Sequence, residues 1–236
     1  MNRRVVITGL GAVSPLGNNV DELWFGAKSG KSGINKIENI DLKELKIRVA
    51  GQVKNFKEED YFDRKVARRM DMATKFGLVA AREAIKDSGL ELESLDKDKC
   101  GVIVSSGIGG LQTIAKEHTT GITKGFHRIF PFFIPMAIAN ITAGNIAIEF
   151  GFKGSSHCIV TACASATDSI GEAFRSIRHG YQDVIITGGT EASVTEFGLG
   201  GFAAMKALSI SDDVNRASIP FDKERSGFVM GEGCGL

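Results

Sequence analysis

The 236-residue chain is 43% hydrophobic and 24% charged, a balance that supports a sizeable buried core and excludes intrinsic disorder. Its 29 Lys and Arg against 28 Asp and Glu leave a net charge of +1, which excludes the broad basic field that collects nucleic acid or an anionic membrane. Cys100, Cys158, Cys163 and Cys234 are far apart and form no CxxC, so neither zinc spacing nor a disulfide framework is expected; free thiols in a reducing, cytoplasmic compartment fit best.

In chain order, two arginines precede a short apolar stretch at the N-terminus. Gly9, Gly11 and Pro15 interrupt it and no small-residue cleavage site follows, so it is not read as a signal peptide. Residues 4–8 (RVVIT) form a β-branched run ending in glycines and predict a strand. Residues 19–63 are less regular and read as peripheral decoration of a single domain. Arg64, Lys65, Arg68 and Arg69 form a basic cluster on an expected helix. Met72, Phe76, Val79 and Ala80 recur at helical spacing, with Gly89 as the cap that ends the helix. Residues 102–105, 158–161 and 183–187 predict three more strands, apolar on both faces and therefore covered on both sides.

Residues 129–150 are the most apolar region, without helical period. Pro131, Pro135, Asn140, Asn145 and Glu149 interrupt them, so no membrane span is expected. Ala166, Ile170, Ala173, Phe174 and Ile177 recur at helical spacing and predict a helix, with Arg175, Arg178 and His179 near the end, where cations suit the helix dipole. Strands alternating with helices indicate a layered α/β architecture.

Cys163 falls where the strand expected at 158–161 gives way to that helix. Unpaired N–H groups at a helix N-terminus stabilise a thiolate and can hold the oxyanion of a thioester intermediate. Small neighbours Ala162, Ala164, Ser165 and Ala166 leave room for a substrate. Cys163 is therefore the candidate nucleophile, and the other three cysteines read as buried small hydrophobes. The GLG at Gly9–Gly11 follows a strand, but Ser14 stands where GxGxxG needs its third glycine and no GxxxxGK[ST] occurs, so nucleotide binding is not expected. No cofactor and no metal site are expected.

Seven segments occur in a particular order: RRVVITGLGAVSPLGN near the start, SSGIGGL from Ser105, PFFIP from Pro131, GSSHCIVTACASATDSIG from Gly154, GGTEAS from Gly188, GGFAAMKALS from Gly200 and PFDKERSGFVMGEG from Pro220. Together they resemble the β-ketoacyl-[acyl-carrier-protein] synthases, and among them the elongating synthases of type II fatty acid synthesis. Two small departures are Ser155, where the family usually has proline, and Ser226, where an acidic residue is frequent.

The resemblance implies a thiolase-like, layered αβα fold with a mixed sheet covered by helices, the first half of an internally duplicated architecture. It implies an acyltransferase that performs a decarboxylative Claisen condensation of a malonyl-carrier with an acyl group held on Cys163. Gly107, Ile108, Phe133, Ala162, Phe202 and Phe228 match substrate-binding positions around an acyl tunnel. Arg64, Lys65, Arg68, Arg69, Arg128 and Lys206 match the surface that docks an acidic acyl carrier protein. Residues 129–150, apolar but interrupted, are expected to contribute to both the tunnel and a subunit contact, with an internal core an equally consistent reading; family members are homodimers whose neighbouring subunits help to close the pocket.

The resemblance covers residues 1–236 but little more than the first half of the family, so the sequence reads as the N-terminal part of such an enzyme. The two histidines and the lysine that assist decarboxylation belong to the family's second half. His118, His127, His157 and His179 match none of its catalytic motifs. Little condensing activity and poor solubility are therefore expected of this chain alone. Rival readings are a ketosynthase portion of a polyketide synthase, a degradative thiolase, to which PFFIP and GGFAAMKALS are foreign, and a non-catalytic chain-length subunit, which typically lacks the cysteine.

Overall fold

The computed structural model describes residues 3–42 and 44–236. In chain order the elements are β1 (Ala12–Val13), α1 (Val20–Lys28), a ribbon of β2 (Asn35–Lys36) and β3 (Val49–Ala50), and the one-turn helix α2 (Arg64–Ala67). Then follow α3 (Met72–Ser88), β4 (Cys100–Ser105), α4 (Leu111–Lys124), α5 (Phe133–Ala137), α6 (Ile141–Phe150) and β5 (Ser156–His157). The last are α7 (Ser165–Arg178), β6 (Val184–Glu191), α8 (Glu196–Ala204) and β7 (Gly233–Gly235).

The main sheet has the order β1-β7-β6-β4-β5. It is mixed: β4 runs parallel to β5 and β6, whereas β7 is antiparallel to β6 and β1. β4 is buried along its whole length, and its two-residue period divides it between two layers. Cys100, Val102 and Val104 join the core formed with α3 and α6. On the other face, Ser105 Oγ is hydrogen-bonded to Ser169 Oγ of α7. β6 repeats this parity, with Thr190 Oγ1 donating to the Ala73 carbonyl of α3 at 2.7 Å and Gly189 facing Ala166 of α7. The result is the αβα layering expected from the sequence.

Asp71 organises two helices at once. One carboxylate oxygen caps α3 by accepting from the Ala73 N–H at 3.2 Å, and the other accepts from the Thr113 N–H at 3.0 Å and the Thr113 hydroxyl at 2.6 Å. α4 has Gly110 at its own N-cap position and no side-chain cap, so Asp71 satisfies its first turn from across the fold. α3 ends as expected at Gly89, in the left-handed region at φ 64°. Gly9 and Gly11 serve close packing on α3. A Cβ on Gly11 would lie 1.8 Å from the Ala80 carbonyl oxygen, and one on Gly9 would lie 2.1 Å from that of Ala84.

Several expectations change. Residues 4–8 form no strand; Val6 and Ile7 are exposed, and pairing begins at β1 because β7 reaches only Ala12 and Val13. Residues 158–161 form no strand either, since only Ser156 and His157 follow β4 in register. In α7 the face against the sheet is Ser165, Ser169, Ala173 and Ser176, while Ile170 and Phe174 are 50% and 42% exposed. The helix lies too close to Gly189 for larger side chains to fit between. Residues 129–150 contain two helices, α5 and α6, and leave Ile134 and Ile148 61% and 81% exposed, so they are not simply an internal core.

Residues 19–63 are more than decoration: Ile47 and Ala50 form a second core with Val194, Leu199, Leu208 and Met230. In the basic cluster, only Arg64 and Lys65 are helical, and Arg68 and Arg69 lie in the turn that follows.

Glu232 joins the second core to β7. Its N–H donates to the Gly51 carbonyl at 3.0 Å, and its carboxylate accepts from the Val53 N–H at 2.9 Å. Burial raises this carboxyl from its ordinary 4.5 to about 7, against the lowering effect of the Val53 hydrogen bond.

Two outcomes are expected. Gly11→Ala should cost about 3 kcal/mol of stability by forcing the N-terminal segment off α3, measured by urea denaturation. Because the folded state favours protonated Glu232, its contribution is complete below about pH 4.5 and is lost as pH rises through about 7. Wild type should therefore lose about 2 kcal/mol between pH 5 and pH 8 relative to Glu232→Gln.

Candidate active site

The turn that carries Cys163 is a 3-10 helix, Ala162–Ala164, leading directly into α7. Ala162 is held in the left-handed region at φ 53°, a conformation costing an L residue about 1–2 kcal/mol. Side chains of α7 hold this turn. Ser165 Oγ, on a buried residue, accepts from the Thr161 N–H at 2.8 Å and donates to the Ala162 carbonyl at 2.7 Å. Thr161 Oγ1 donates to Asp168 at 2.6 Å. No side chain caps α7; the Ala164 and Ser165 amides beside Cys163 donate to the Thr161 and Ala162 carbonyls of the same turn.

Cys163 faces a cavity of about 490 Å³. Five further residues predicted from the sequence line the same space: Gly107 and Ile108 from the loop after β4, Ala162, Phe202 from α8, and Phe228. Phe202 and Phe228 meet edge to face at 5.5 Å. Ile108 and Phe202 also line a second cavity of about 480 Å³ alongside α8, with Leu111, Phe197 and Met205. They therefore stand between the two spaces. Phe133 begins α5 and lines neither cavity. Ser106, Glu191 and Met230 are among the other lining residues; they lie within SSGIGGL, GGTEAS and GFVMGEG, but nothing local to those residues marks them as facing a cavity.

The four thiols are free and differ sharply. Cys163 is exposed, whereas Cys100 and Cys234 are buried. Burial pushes the Cys234 thiol up to about 12 against a hydrogen bond with Thr190, and raises that of Cys100. Cys158 is also raised by burial, and the Glu191 charge adds to the effect. None of the four histidines lines the cavity.

Arg64, Lys65, Arg68, Arg69, Arg128 and Lys206 are all exposed, and among the described residues none forms an ion pair. Arg69 stacks on Phe132 at 4.4 Å, which joins the basic turn to the segment before α5. No group of three or more His, Cys, Asp or Glu is arranged to hold a metal among the described residues, and no helix is long and apolar enough to cross a membrane.

Residues 2–236 match the family described as "Beta-ketoacyl synthase, N-terminal domain". This chain belongs to that family. It is 48% identical over 235 residues to 3-oxoacyl-[acyl-carrier-protein] synthase 2 of Staphylococcus aureus strain COL, covering 100% of this chain and 57% of the relative. It is 45% identical to the synthase of the same name from a Synechocystis species, covering 99% and 56%.

Among solved structures, a β-ketoacyl synthase from Burkholderia phymatum is similar over 100% of this chain and 58% of its own, with TM-score 0.87 and 28% identity. A complex of a type II PKS acyl-carrier protein with its ketosynthase bound to the hexaketide is similar with TM-score 0.86 and 32% identity, over 100% and 57%. The fold is thus thiolase-like. The chain spans a little over half the length of the curated relatives it matches.

Iodoacetamide at pH 7.5 should alkylate Cys163 about a hundredfold faster than Cys100 or Cys234, because reaction requires an accessible thiolate. Peptide mass spectrometry after short exposure reads the order.

Proposed function

We propose that this chain carries the acyl-transfer site of a 3-oxoacyl-[acyl-carrier-protein] synthase of fatty acid synthesis. The observation that carries this reading is the exposed Cys163 sulfur, on a strained turn at an uncapped helix N-terminus, facing a cavity with aromatic and aliphatic walls. In the first step the Cys163 thiolate attacks the acyl thioester; a new S–acyl bond forms and the carrier's pantetheine thiolate leaves, taking up a proton. Malonyl-carrier then loses carbon dioxide to give an enolate, which attacks the acyl carbon and releases Cys163 again. The product is a 3-ketoacyl chain two carbons longer.

Of this sequence, the acylation step is the one assigned to these residues. The Cys163 amide is proposed to contribute to the oxyanion site. Gly107 and Ala162 keep the approach to the sulfur narrow and free of bulk. Ile108, Phe202 and Phe228 form the walls of the acyl tunnel, where each buried methylene contributes about 0.8 kcal/mol.

The six unpaired cations are proposed to receive an acidic acyl carrier protein. Exposed Ile122, Phe126, Ile134 and Ile138, together with the edge strand β5, support a homodimer. Phe133, which lines neither cavity of its own chain, is assigned to closing the pocket of a second copy. Four free thiols are in keeping with a cytoplasmic enzyme.

The test uses mass spectrometry of the chain exposed to a fatty acyl carrier protein and, separately, to the same acyl group on N-acetylcysteamine. Both should label Cys163, and Cys163→Ser should lose the thioester adduct. Replacing Arg68 and Arg69 with Glu should slow labelling from the carrier about tenfold at low salt, with the difference shrinking as salt rises. The N-acetylcysteamine reaction should be unchanged. Label on another residue, or none, overturns the assignment.

A further inference from the structure

GGTEAS has one ionisable side chain, Glu191, to which the proposed acyl transfer gives no part. Glu191 is the last residue of β6 and lines the Cys163 cavity. Its Oε2 accepts the backbone N–H of Gly107 at 2.7 Å and that of Ile108 at 3.2 Å. Its Oε1 accepts the hydroxyls of Ser106 at 3.1 Å and Ser193 at 3.0 Å. Ser106 Oγ in turn accepts the Gly109 N–H at 2.8 Å. Among the described residues Glu191 has no ion-pair partner, so its charge is met by these hydrogen bonds. Hydrogen bonds to an ionised acceptor are the strong ones.

The loop so held, residues 106–109, leaves β4 and carries Ile108, which separates the Cys163 cavity from the second cavity alongside α8. Gly109, at φ 82°, lets the chain turn back towards α4. The loop's position beside the nucleophile is therefore set by a carboxylate on the neighbouring strand. A Cβ on Gly107 would lie 3.2 Å from Glu191 Oε2 and 3.5 Å from the Ala162 carbonyl, which shows how little slack separates the carboxylate, the loop and the Cys163 turn.

We propose that Glu191 is a positioning residue that holds Ile108 as the partition between the two cavities, and thereby sets which acyl lengths reach Cys163. The length-selection part rests on the proposed acylation of Cys163, whereas the positioning part does not. Glu191→Ala removes both acceptors and leaves two loop amides without partners. Glu191→Gln keeps one oxygen for those amides and offers an NH₂ to hydroxyls that can rotate to accept it.

Residue-resolved amide hydrogen exchange on the folded chain is the first measurement. In Glu191→Ala, Gly107 and Ile108 should exchange about tenfold faster while β4 keeps its protection; Glu191→Gln should restore most of the loss. The second measurement is the ratio of Cys163 acylation rates from hexanoyl and dodecanoyl N-acetylcysteamine, which should change about fivefold in Glu191→Ala and much less in Glu191→Gln.

If Glu191→Ala does not fold, Glu191→Asp, one methylene short, should move both readouts in the same direction. Unchanged loop protection in Ala or Asp overturns the positioning role. Faster exchange with an unchanged length ratio overturns the length selection. If wild type takes no acyl group on Cys163 from either thioester, the proposed function fails together with length selection, and hydrogen exchange alone decides the positioning role.

Discussion

The seating of α7 on the sheet is the contact on which the site depends. Gly189 faces Ala166, and Ser105 is bonded to Ser169, so the helix approaches β4 and β6 with no large side chain between them. That short separation brings the N-terminal turn of α7 level with the ends of both strands. The loop after β4, the end of β6 and the Cys163 turn consequently meet in one place. A bulkier residue at 189 or 166 would lift the helix and open all three sides together, because cores respond to added volume by shifting as units.

Around that contact, strain and hydrogen bonding are set against each other. The left-handed Ala162 is unfavourable alone, and Ser165 and Asp168 hold the turn through Thr161 and the Ala162 carbonyl. Across the cavity, backbone amides converge on a carboxylate. Polar groups at the base of the site are thus paired, and its Phe and Ile side chains are left to define the shape available to a ligand.

The sequence made much of this visible. α3 follows from Met72, Phe76 and Gly89, β4 from its unbroken apolar run, and Cys163 from a helix-start position among small residues. The failures share a cause. Apolar periodicity usually marks the buried face of a helix, yet α7, seated closely on a glycine-bearing strand, buries small residues and leaves Ile170 and Phe174 exposed. Residues 4–8 have strand propensity, but propensity does not supply a neighbouring strand to pair with. Glu191 is unreadable for a different reason: its loop partners Ser106, Gly107 and Ile108 lie more than eighty residues away along the chain, and no local spacing encodes such a meeting.

The sheet order bears on the timing of synthesis. β1 pairs with β7, more than two hundred residues further along the sequence, and Gly11 and Leu236 exchange backbone hydrogen bonds. During translation α3 and β4 can emerge and collapse, but β1 must wait for a neighbour made more than two hundred residues later. Such distant pairing slows folding, and a nascent chain would carry an open, templating edge until β7 is made.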